Sequence, residues 1–346
     1  MTIFQILIAA AHAAEDAQID DIQMEGMHHH EVGGILTIFD VLVIARWIHF
    51  ASVFVLFGSS FFWFYMGHER LSSGPGGLPR ALRATTILLR VAAPVAAITG
   101  VAWLAGVLAN MTGGFSNVVD PETLRLFFFE TEFGPVAMVR LALVAAAVAI
   151  AALPWHGRVW LSTLLHIGAF LLITQAWLGH AAEGGAGLYG AVMIVSYCVH
   201  VLATAAWVGG LPPLLFALVE QRRFNPHEAR DWTLDILSRY SLMAMTAVAF
   251  IVLSGAANAA FRVAGSFGKL FYTDYGNVLF AKIGLVAVML VLAWFNRFVA
   301  MPRLRRASLK GMSLIVKLRT SVAFELLLGL LVLGVAAILG ITPPPQ

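Results

Sequence analysis

The segment Val192–Pro213, VMIVSYCVHVLATAAWVGGLPP, is an apolar run long enough to cross a bilayer. His200 lies near its centre, where a polar side chain is expensive unless it has a partner or a function. The segment therefore predicts a transmembrane helix that carries either a functional imidazole or a buried, hydrogen-bonded one.

A second run, Val41–Trp63, VLVIARWIHFASVFVLFGSSFFW, has the same spacing of special residues. When His49 is laid on His200, Gly58 falls on Gly209, nine residues further on in each run. The match continues along the chain: Ile98-Thr99-Gly100 falls on Leu253-Ser254-Gly255, Thr131-Glu132-Phe133-Gly134 on Thr273-Asp274-Tyr275-Gly276, and Arg140 on Lys282. This pattern predicts one four-helix unit used twice.

The composition places the chain in a membrane. Of 346 residues, 60% are hydrophobic and 12% are charged, and several apolar runs are near the length that spans a ~30 Å hydrocarbon layer. The net charge of +3 lies mostly in short loops, so it indicates topology and not nucleic-acid binding. The single cysteine, Cys198, excludes an intrachain disulfide, and the absence of a G-x-x-x-x-G-K-[ST] loop argues against a nucleotide partner.

Eight runs have the length of membrane helices, whereas barrel strands would be about half as long and alternate in polarity. They lie at about 37–66, 84–108, 134–153, 159–178, 188–218, 240–262, 276–298 and 319–341. The sequence thus predicts an all-α integral membrane protein, in contact with lipid, with a first four-helix repeat over 37–178 and a second over 188–341.

Loop charge predicts the orientation. Loops 67–83, 154–158 and 299–319 are basic, which places them in the cytoplasm by the positive-inside rule. The N-terminal tail and loops 109–133 and 179–187 are acidic or nearly uncharged. Both termini are therefore predicted to lie outside (N-out/C-out).

In loop 109–133, the segment Pro121–Phe129 is predicted to form either a short interfacial helix or a cap over the outer face.

Two segments precede the first span. Residues 1–14 end in small residues of A-x-A type, as a secretory signal peptide does, but their lack of Lys or Arg leaves a loosely membrane-associated N-terminus as the alternative. Residues 15–36 form an external tail whose thioethers and imidazoles suit copper in both oxidation states. Its candidate metal ligands are Met24, Met27, His28, His29 and His30. The alternative is that this His run is incidental.

Four more histidines are candidate ligands within or beside the spans. His49 and His200 lie at similar depth, His166 lies at a comparable depth, and His180 stands at the outer end of the same helix as His166. The 14 residues between His166 and His180 return to nearly the same helix face. We expect the level histidines to line one interior and His49 and His200 to share one site. The alternative for each is a hydrogen-bonded core residue.

Charged residues inside the spans carry a further expectation. Arg46, Arg140 and Lys282 lie in the outer halves of their spans, where long cations often only extend toward the headgroups. Arg90 and Glu325 lie in inner halves, at similar depths. We expect these two to neutralise each other, because unpaired buried charges are costly.

Several motifs together resemble the copper resistance protein D (CopD) family. They are His200 with Trp207-Val208-Gly209-Gly210-Leu211, Arg239-Tyr240-Ser241, Ser254-Gly255 with Asn258, Tyr275-Gly276 with Lys282, Asn296-Arg297, and Gly179-His180-Ala181-Ala182. The resemblance covers roughly residues 35–300. It implies an eight-helix multi-pass protein of the bacterial inner (cytoplasmic) membrane that acts with periplasmic copper-binding proteins. More weakly, each repeat is similar to the four-helix haem proteins of the HemJ type, through His49 or His200 with Arg140 or Lys282.

Three functions compete. In the first, a copper transport or resistance protein collects copper at the periplasmic face and passes it to His180, His49, His200 and His166. In the second, a b-type haem redox protein uses His49, His166 or His200 as axial ligands. The third is an assembly partner with no transport of its own. The sequence favours a transporter or metal-homeostasis protein over an enzyme.

Overall fold

The computed structural model describes residues 37–67, 77–154, 157–178, 187–221, 225–263, 267–306 and 312–343. Over these residues the chain is helical, and eight helices are long and apolar enough to cross a membrane. The helices are α1 (Ile38–Met66), α2 (Pro79–Thr112), α3 (Pro121–Glu130), α4 (Phe133–Ala152), α5 (Arg158–Ile173), α6 (Leu188–Glu220), α7 (Pro226–Val263), α8 (Asp274–Phe295), α9 (Met301–Arg306) and α10 (Met312–Leu339). The predicted all-α membrane architecture is confirmed.

Local signals in the sequence set several helix ends. α1 begins with a capping box, in which the Thr37 hydroxyl accepts from the Asp40 N–H at 3.2 Å and Asp40 Oδ2 accepts from the Thr37 N–H at 3.0 Å. It ends at Gly67, whose φ of 84° is left-handed and suits glycine. α2 begins at Pro79 and ends before Gly113, with φ of 81°.

The largest difference from the predicted spans is in α7, which begins at Pro226 instead of about residue 240. Its 38 residues correspond to about 57 Å, well beyond the ~30 Å hydrocarbon layer. The added N-terminal part carries the exposed ion pairs Arg230–Asp231 and Arg239–Asp235, at 3.2 Å each. This charge explains why hydropathy alone missed it.

The predicted short helix in the 109–133 loop is present as α3. Asp120 is its N-cap and accepts from the Thr123 N–H at 2.7 Å, which holds the pKa of that carboxyl below its usual value. The exposed Arg125 binds Glu122 at 2.9 Å, and this ion pair raises the pKa of Arg125. Phe127 is the buried residue of the helix, and Leu124 and Phe128 pack beside it, so α3 contacts the bundle through an apolar face.

Helices α1 and α6 lie side by side at the centre of the bundle, and two glycines set their crossing. A Cβ built on Gly58 would collide with the Ala205 carbonyl oxygen and the Gly209 backbone, and one on Gly209 would collide with the Phe54 carbonyl oxygen. The Ser59 hydroxyl donates to the Gly209 carbonyl at 2.9 Å across the same crossing. Small residues allow this close backbone approach, as is common between membrane helices.

Residues that the duplication aligns make matched contacts. Gly58 and Gly209 touch each other, Gly100 faces the His49 ring, and Gly255 faces the His200 ring. In the same way a Cβ on Gly134 would collide with the Phe128 carbonyl, and one on Gly276 with the Leu270 carbonyl. These matched contacts support the tandem repeat, which stays a prediction, as does the N-out/C-out orientation.

The two halves differ in how their third span is packed. In the first half α4 packs against both α2 and α5, whereas in the second half α8 packs mainly on α10 and makes little contact with α7. Most of α8 is therefore open to the surroundings, including Ile283, Val291 and Trp294. In a bilayer this apolar face contacts lipid.

The expected ion pair between Arg90 and Glu325 is wrong. Arg90 Nη2 donates to the Leu153 carbonyl at 2.9 Å, at the C-terminal end of α4. Glu325 instead accepts from Asn296 Nδ2 at 2.6 Å, at the start of a π-helical turn over Asn296–Ala300. Similar depth did not bring the two charges together, because α2 and α10 pack on α1 and α6 and make little contact with each other.

Candidate functional site

His49 on α1 is buried, with 2% of its surface exposed, and both of its ring nitrogens are engaged. Nδ1 lies 2.8 Å from the Ala96 carbonyl oxygen of α2. Because a carbonyl only accepts, Nδ1 carries the proton, and Nε2 accepts from Arg140 Nη2 at 2.9 Å. The ring is therefore a neutral imidazole with no free lone pair.

Arg140 on α4 holds this arrangement together. The residue is 4% exposed, and its Nη1 donates to the Leu171 carbonyl at 2.6 Å and to Thr174 Oγ1 at 2.9 Å. These acceptors lie where α5 changes to the 3-10 turn Thr174–Leu178, so the cation also faces a helix C-terminus. Arg140 thus connects α1, α4 and α5 through a single side chain.

A second buried arginine, Arg46, lies beside the first. The Trp103 ring on α2 contacts both guanidiniums, with its centroid 5.5 Å from Arg140 Cζ and 5.6 Å from Arg46 Cζ. Arg46 also stacks over Phe50 at 5.2 Å. Arg46 is 7% exposed, and its Nε has no hydrogen-bond partner among the described residues. Its guanidinium lies against Gly340, just after α10, where a Cβ would collide with it.

Two further cations extend this group. Arg46, Arg140 and Arg262 all lie within electrostatic range of the Tyr197 hydroxyl, and Arg262 lies within range of Lys282. We call these four cations, Arg46, Arg140, Arg262 and Lys282, the cationic cluster. They come from α1, α4, α7 and α8, at the end of the bundle where α1 begins. No carboxylate in the described parts of the chain forms an ion pair with any of them.

His200 on α6 is half-buried, and its ring is held differently. Nδ1 lies 3.2 Å from Ser254 Oγ on α7. The Ser254 hydroxyl donates its own proton to the Phe250 carbonyl at 2.5 Å, so it accepts from His200 and Nδ1 carries the proton. The Ile251 carbonyl also lies within hydrogen-bond range of the ring, on the α7 side that Nδ1 faces, so Nε2 keeps its lone pair. This tautomer is ready to bind a metal.

The expectation that His49 and His200 share one site is wrong. Each histidine lies nine residues before the glycine at the α1–α6 crossing, and nine residues rotate a helix by about half a turn. Each ring therefore points away from the partner helix, His49 toward α2 and α4 and His200 toward α7. A haem held between the two rings does not fit this arrangement, because Arg140 occupies His49 Nε2.

His166 does not face the interior with the other two. It is exposed on α5, and its Nδ1 lies 2.6 Å from the carbonyl of Ser162, one turn back on the same helix. It lines an open surface groove of about 520 Å³ with Phe64 and Arg158. The sequence predicted the depth of His166 along its helix, but depth does not determine whether the side chain points into the bundle or out of it.

The remaining candidate ligands lie outside the described residues. These are Met24, Met27, His28, His29 and His30 of the tail, and His180 after α5. Among the residues that are described, no group of three or more His, Cys, Asp or Glu side chains is arranged to hold a metal ion. A metal site in this part of the chain would have to use fewer protein ligands.

Sequence reasoning missed Trp103, Thr174, Tyr197 and Arg262 as members of the site. One signal was available for Tyr197, which stands three residues before His200 as Arg46 stands three residues before His49. The duplication therefore aligns a phenol with a guanidinium. Nothing in the local sequence around Trp103 marks it as the ring that two arginines share.

Comparisons with known proteins identify relatives over most of the chain. Residues 36–191 match the family model described as copper resistance protein D-like, N-terminal domain, and residues 234–339 match the model for copper resistance protein D. No solved structure gives a significant match.

Three curated proteins are similar to the chain. Copper resistance protein D of Pseudomonas syringae pv. tomato is 32% identical over 88% of this chain and 97% of its own length. Copper transport protein CutJ of Bacillus subtilis (strain 168) is 30% identical over 68% of this chain and 42% of its own length. Inner membrane protein YebZ of Escherichia coli (strain K12) is 26% identical over 75% of this chain and 84% of its own length.

Proposed function

Since the chain belongs to the copper resistance protein D family, we propose that this multi-pass inner-membrane protein collects copper at the periplasmic face and passes it to a histidine inside the membrane. Copper handling in general follows from the family. The route, through the external tail, His180 and then the spans, is the proposed part.

One observation carries the intramembrane step of this proposal. His200 presents a neutral imidazole with a fixed tautomer and an Nε2 lone pair that no described residue uses. Imidazole of this kind suits copper, and the hydroxyl of Ser254 orients the ring as second-shell partners of metal-binding histidines do. His49 lacks this property while Arg140 donates to its Nε2. We therefore assign the intramembrane copper-binding role to His200 and a structural role to His49.

The partial exposure of His200 would allow copper to reach its ring. Its ring is half-buried, and the neighbouring helix α8 leaves α7 largely uncovered. The tail ligands Met24, Met27, His28, His29 and His30 would raise the local concentration of copper at the outer end of the bundle. Periplasmic copper-binding proteins are the proposed source.

The test is copper binding by the purified full chain, measured by competition with a coloured Cu(I) chelator. We expect His200→Ala to lose one bound copper, while the exposed His166→Ala and the engaged His49→Ala keep wild-type stoichiometry. Replacing His28, His29 and His30 together by Ala should remove a separate, tail-bound copper. An unchanged stoichiometry in His200→Ala would remove the intramembrane step from the proposal.

An absorption spectrum of the same preparation tests the haem alternative. Haem b absorbs in the visible range, whereas Cu(I) bound to imidazole does not. We expect no Soret band. A band that disappears in His200→Ala would replace copper by haem as the ligand of this residue.

A further inference from the structure

Within the described residues, no carboxylate forms an ion pair with the cationic cluster. Buried cations in proteins are normally paired, because removing a charge from water is costly unless an opposite charge or hydrogen bonds compensate it. Arg140 is compensated in part by two acceptors at the end of α5. Arg46 is 93% buried, with Nε unpartnered, and the described residues give none of the four cations a carboxylate.

The closeness of Arg46 and Arg140 adds repulsion between like charges to the missing counter-charge. Arg46 and Arg140 both lie over the Trp103 ring, at 5.6 and 5.5 Å from its centroid, so their Cζ atoms are at most about 11 Å apart. The π face of the indole is a weak acceptor that two like charges share. The C-terminal end of α10 next to Arg46 contributes only about half of a negative charge. Neither feature neutralises four cations.

We propose that the cationic cluster binds an oxyanion, a phosphate or carboxylate group, at the end of the bundle where α1 begins. Arg46 supplies the primary contact, because its guanidinium fork is not used by other described residues and matches two oxygens of such a group. Lys282 and Arg262 supply charge from the second half. The Tyr197 hydroxyl, which is within electrostatic range of the three arginines, is a further donor.

The position of the cluster allows two sources of this oxyanion. Arg46 lies eight residues into α1 and Lys282 eight residues into α8, which corresponds to about 12 Å of helix from the end. A soluble anion would reach this depth from outside the membrane. The headgroup of an anionic phospholipid would reach it sideways, since α8 packs on α10 and leaves α7 largely free.

The inference is independent of the proposed copper site. It concerns charge compensation around Arg46, and its readouts need no copper. The positive charge of the cationic cluster repels a bare copper ion. A bound oxyanion would reduce this repulsion at the end of the bundle where α1 begins.

Thermal unfolding of the purified, metal-free full chain tests the proposal. The soluble arm titrates inorganic phosphate and citrate against chloride at equal ionic strength. The lipid arm compares phosphatidylglycerol with phosphatidylcholine in mixed micelles. We expect saturable stabilisation in one arm, and the arm that responds identifies the source.

Variants decide whether the response comes from the cluster. Arg46→Gln and Lys282→Gln should each weaken the apparent affinity about tenfold, because each removes one charged donor. Lys282 is half-buried on the peripheral helix α8, so Lys282→Gln keeps the test valid if Arg46→Gln does not fold. Arg125→Gln is the matched control, since Arg125 is an outer cation already paired with Glu122. The proposal would be overturned if neither arm stabilises the protein, or if the wild type and both cluster variants respond equally.

Discussion

Arg140 Nη2 lies 2.9 Å from Nε2 of His49, while the equivalent nitrogen of His200 has no such partner among the described residues. The alignment of the two halves places Lys282 where Arg140 stands. Arginine has a planar fork that reaches the histidine and two acceptors at once, whereas lysine is a compact point charge. At this aligned position, Arg140 therefore engages His49 Nε2, whereas Nε2 of His200 keeps its lone pair.

Arg140→Gln should destabilise the bundle by about 3 kcal/mol, because hydrogen bonds from a charged donor to His49, Leu171 and Thr174 are lost in a buried site. Arg140→Lys should recover part of this loss. Chemical unfolding in detergent measures both. Arg239→Gln, at an exposed ion pair with Asp235, serves as the control and should change stability by less than about 1 kcal/mol. Equal effects at the two arginines would contradict the role given to Arg140.

Ser254→Ala should lower the copper affinity of the His200 site about 10- to 100-fold, because the ring loses the acceptor that fixes its tautomer and orientation. Competition with a Cu(I) chelator measures the change. Thr246→Val is a matched control on the same helix, where the exposed Thr246 hydroxyl bonds only to the carbonyl of Leu242. If Ser254→Ala binds copper as tightly as wild type does, the Ser254 hydroxyl does not fix the tautomer and orientation of His200 for metal binding.

Gly58→Ala should destabilise the fold by about 3 kcal/mol or more, since its Cβ would collide with backbone atoms of α6 that have no room to move. Gly209→Ala should behave in the same way, and the double variant should lose less than the sum because both act on one crossing. Gly284→Ala on α8 meets open space and should be neutral or gain up to about 1 kcal/mol from helix propensity. Thermal unfolding in detergent ranks the four variants, and a tolerated Gly58→Ala would show that the α1–α6 crossing has room for a Cβ.

Arg90→Leu and Glu325→Leu should destabilise additively, because the two residues bind different partners, Leu153 and Asn296. Removing Glu325 leaves Asn296 unsatisfied, and removing Arg90 leaves the last carbonyls of α4 uncapped, at about 1–3 kcal/mol each. The double variant, measured by unfolding in detergent, should lose the sum. Recovery of stability in the double would restore the ion pair that the structure rejects.

The membrane architecture could be predicted from the sequence. Whether a segment can span a bilayer depends on the length of its apolar run, which is a local property of the sequence. The eight spans were therefore predictable to within a few residues at most ends. The matched positions His49/His200, Gly58/Gly209 and Arg140/Lys282 were also visible without a structure, because a repeated spacing of residues is a pattern along the chain. Where charge entered a helix, as in the first part of α7, hydropathy placed the boundary wrongly.

Which side chains contact one another depends on the tertiary structure. Depth along a helix follows from counting residues, but the direction in which a face points depends on how each helix is rotated against its neighbours. The Gly58–Gly209 crossing sets that rotation for α1 and α6, and it turns His49 toward Arg140 and His200 toward Ser254. The same freedom of rotation turned His166 outward and separated Arg90 from Glu325. It also brought Arg46 and Arg140 onto the one ring of Trp103, a contact between three helices that no local pattern encodes.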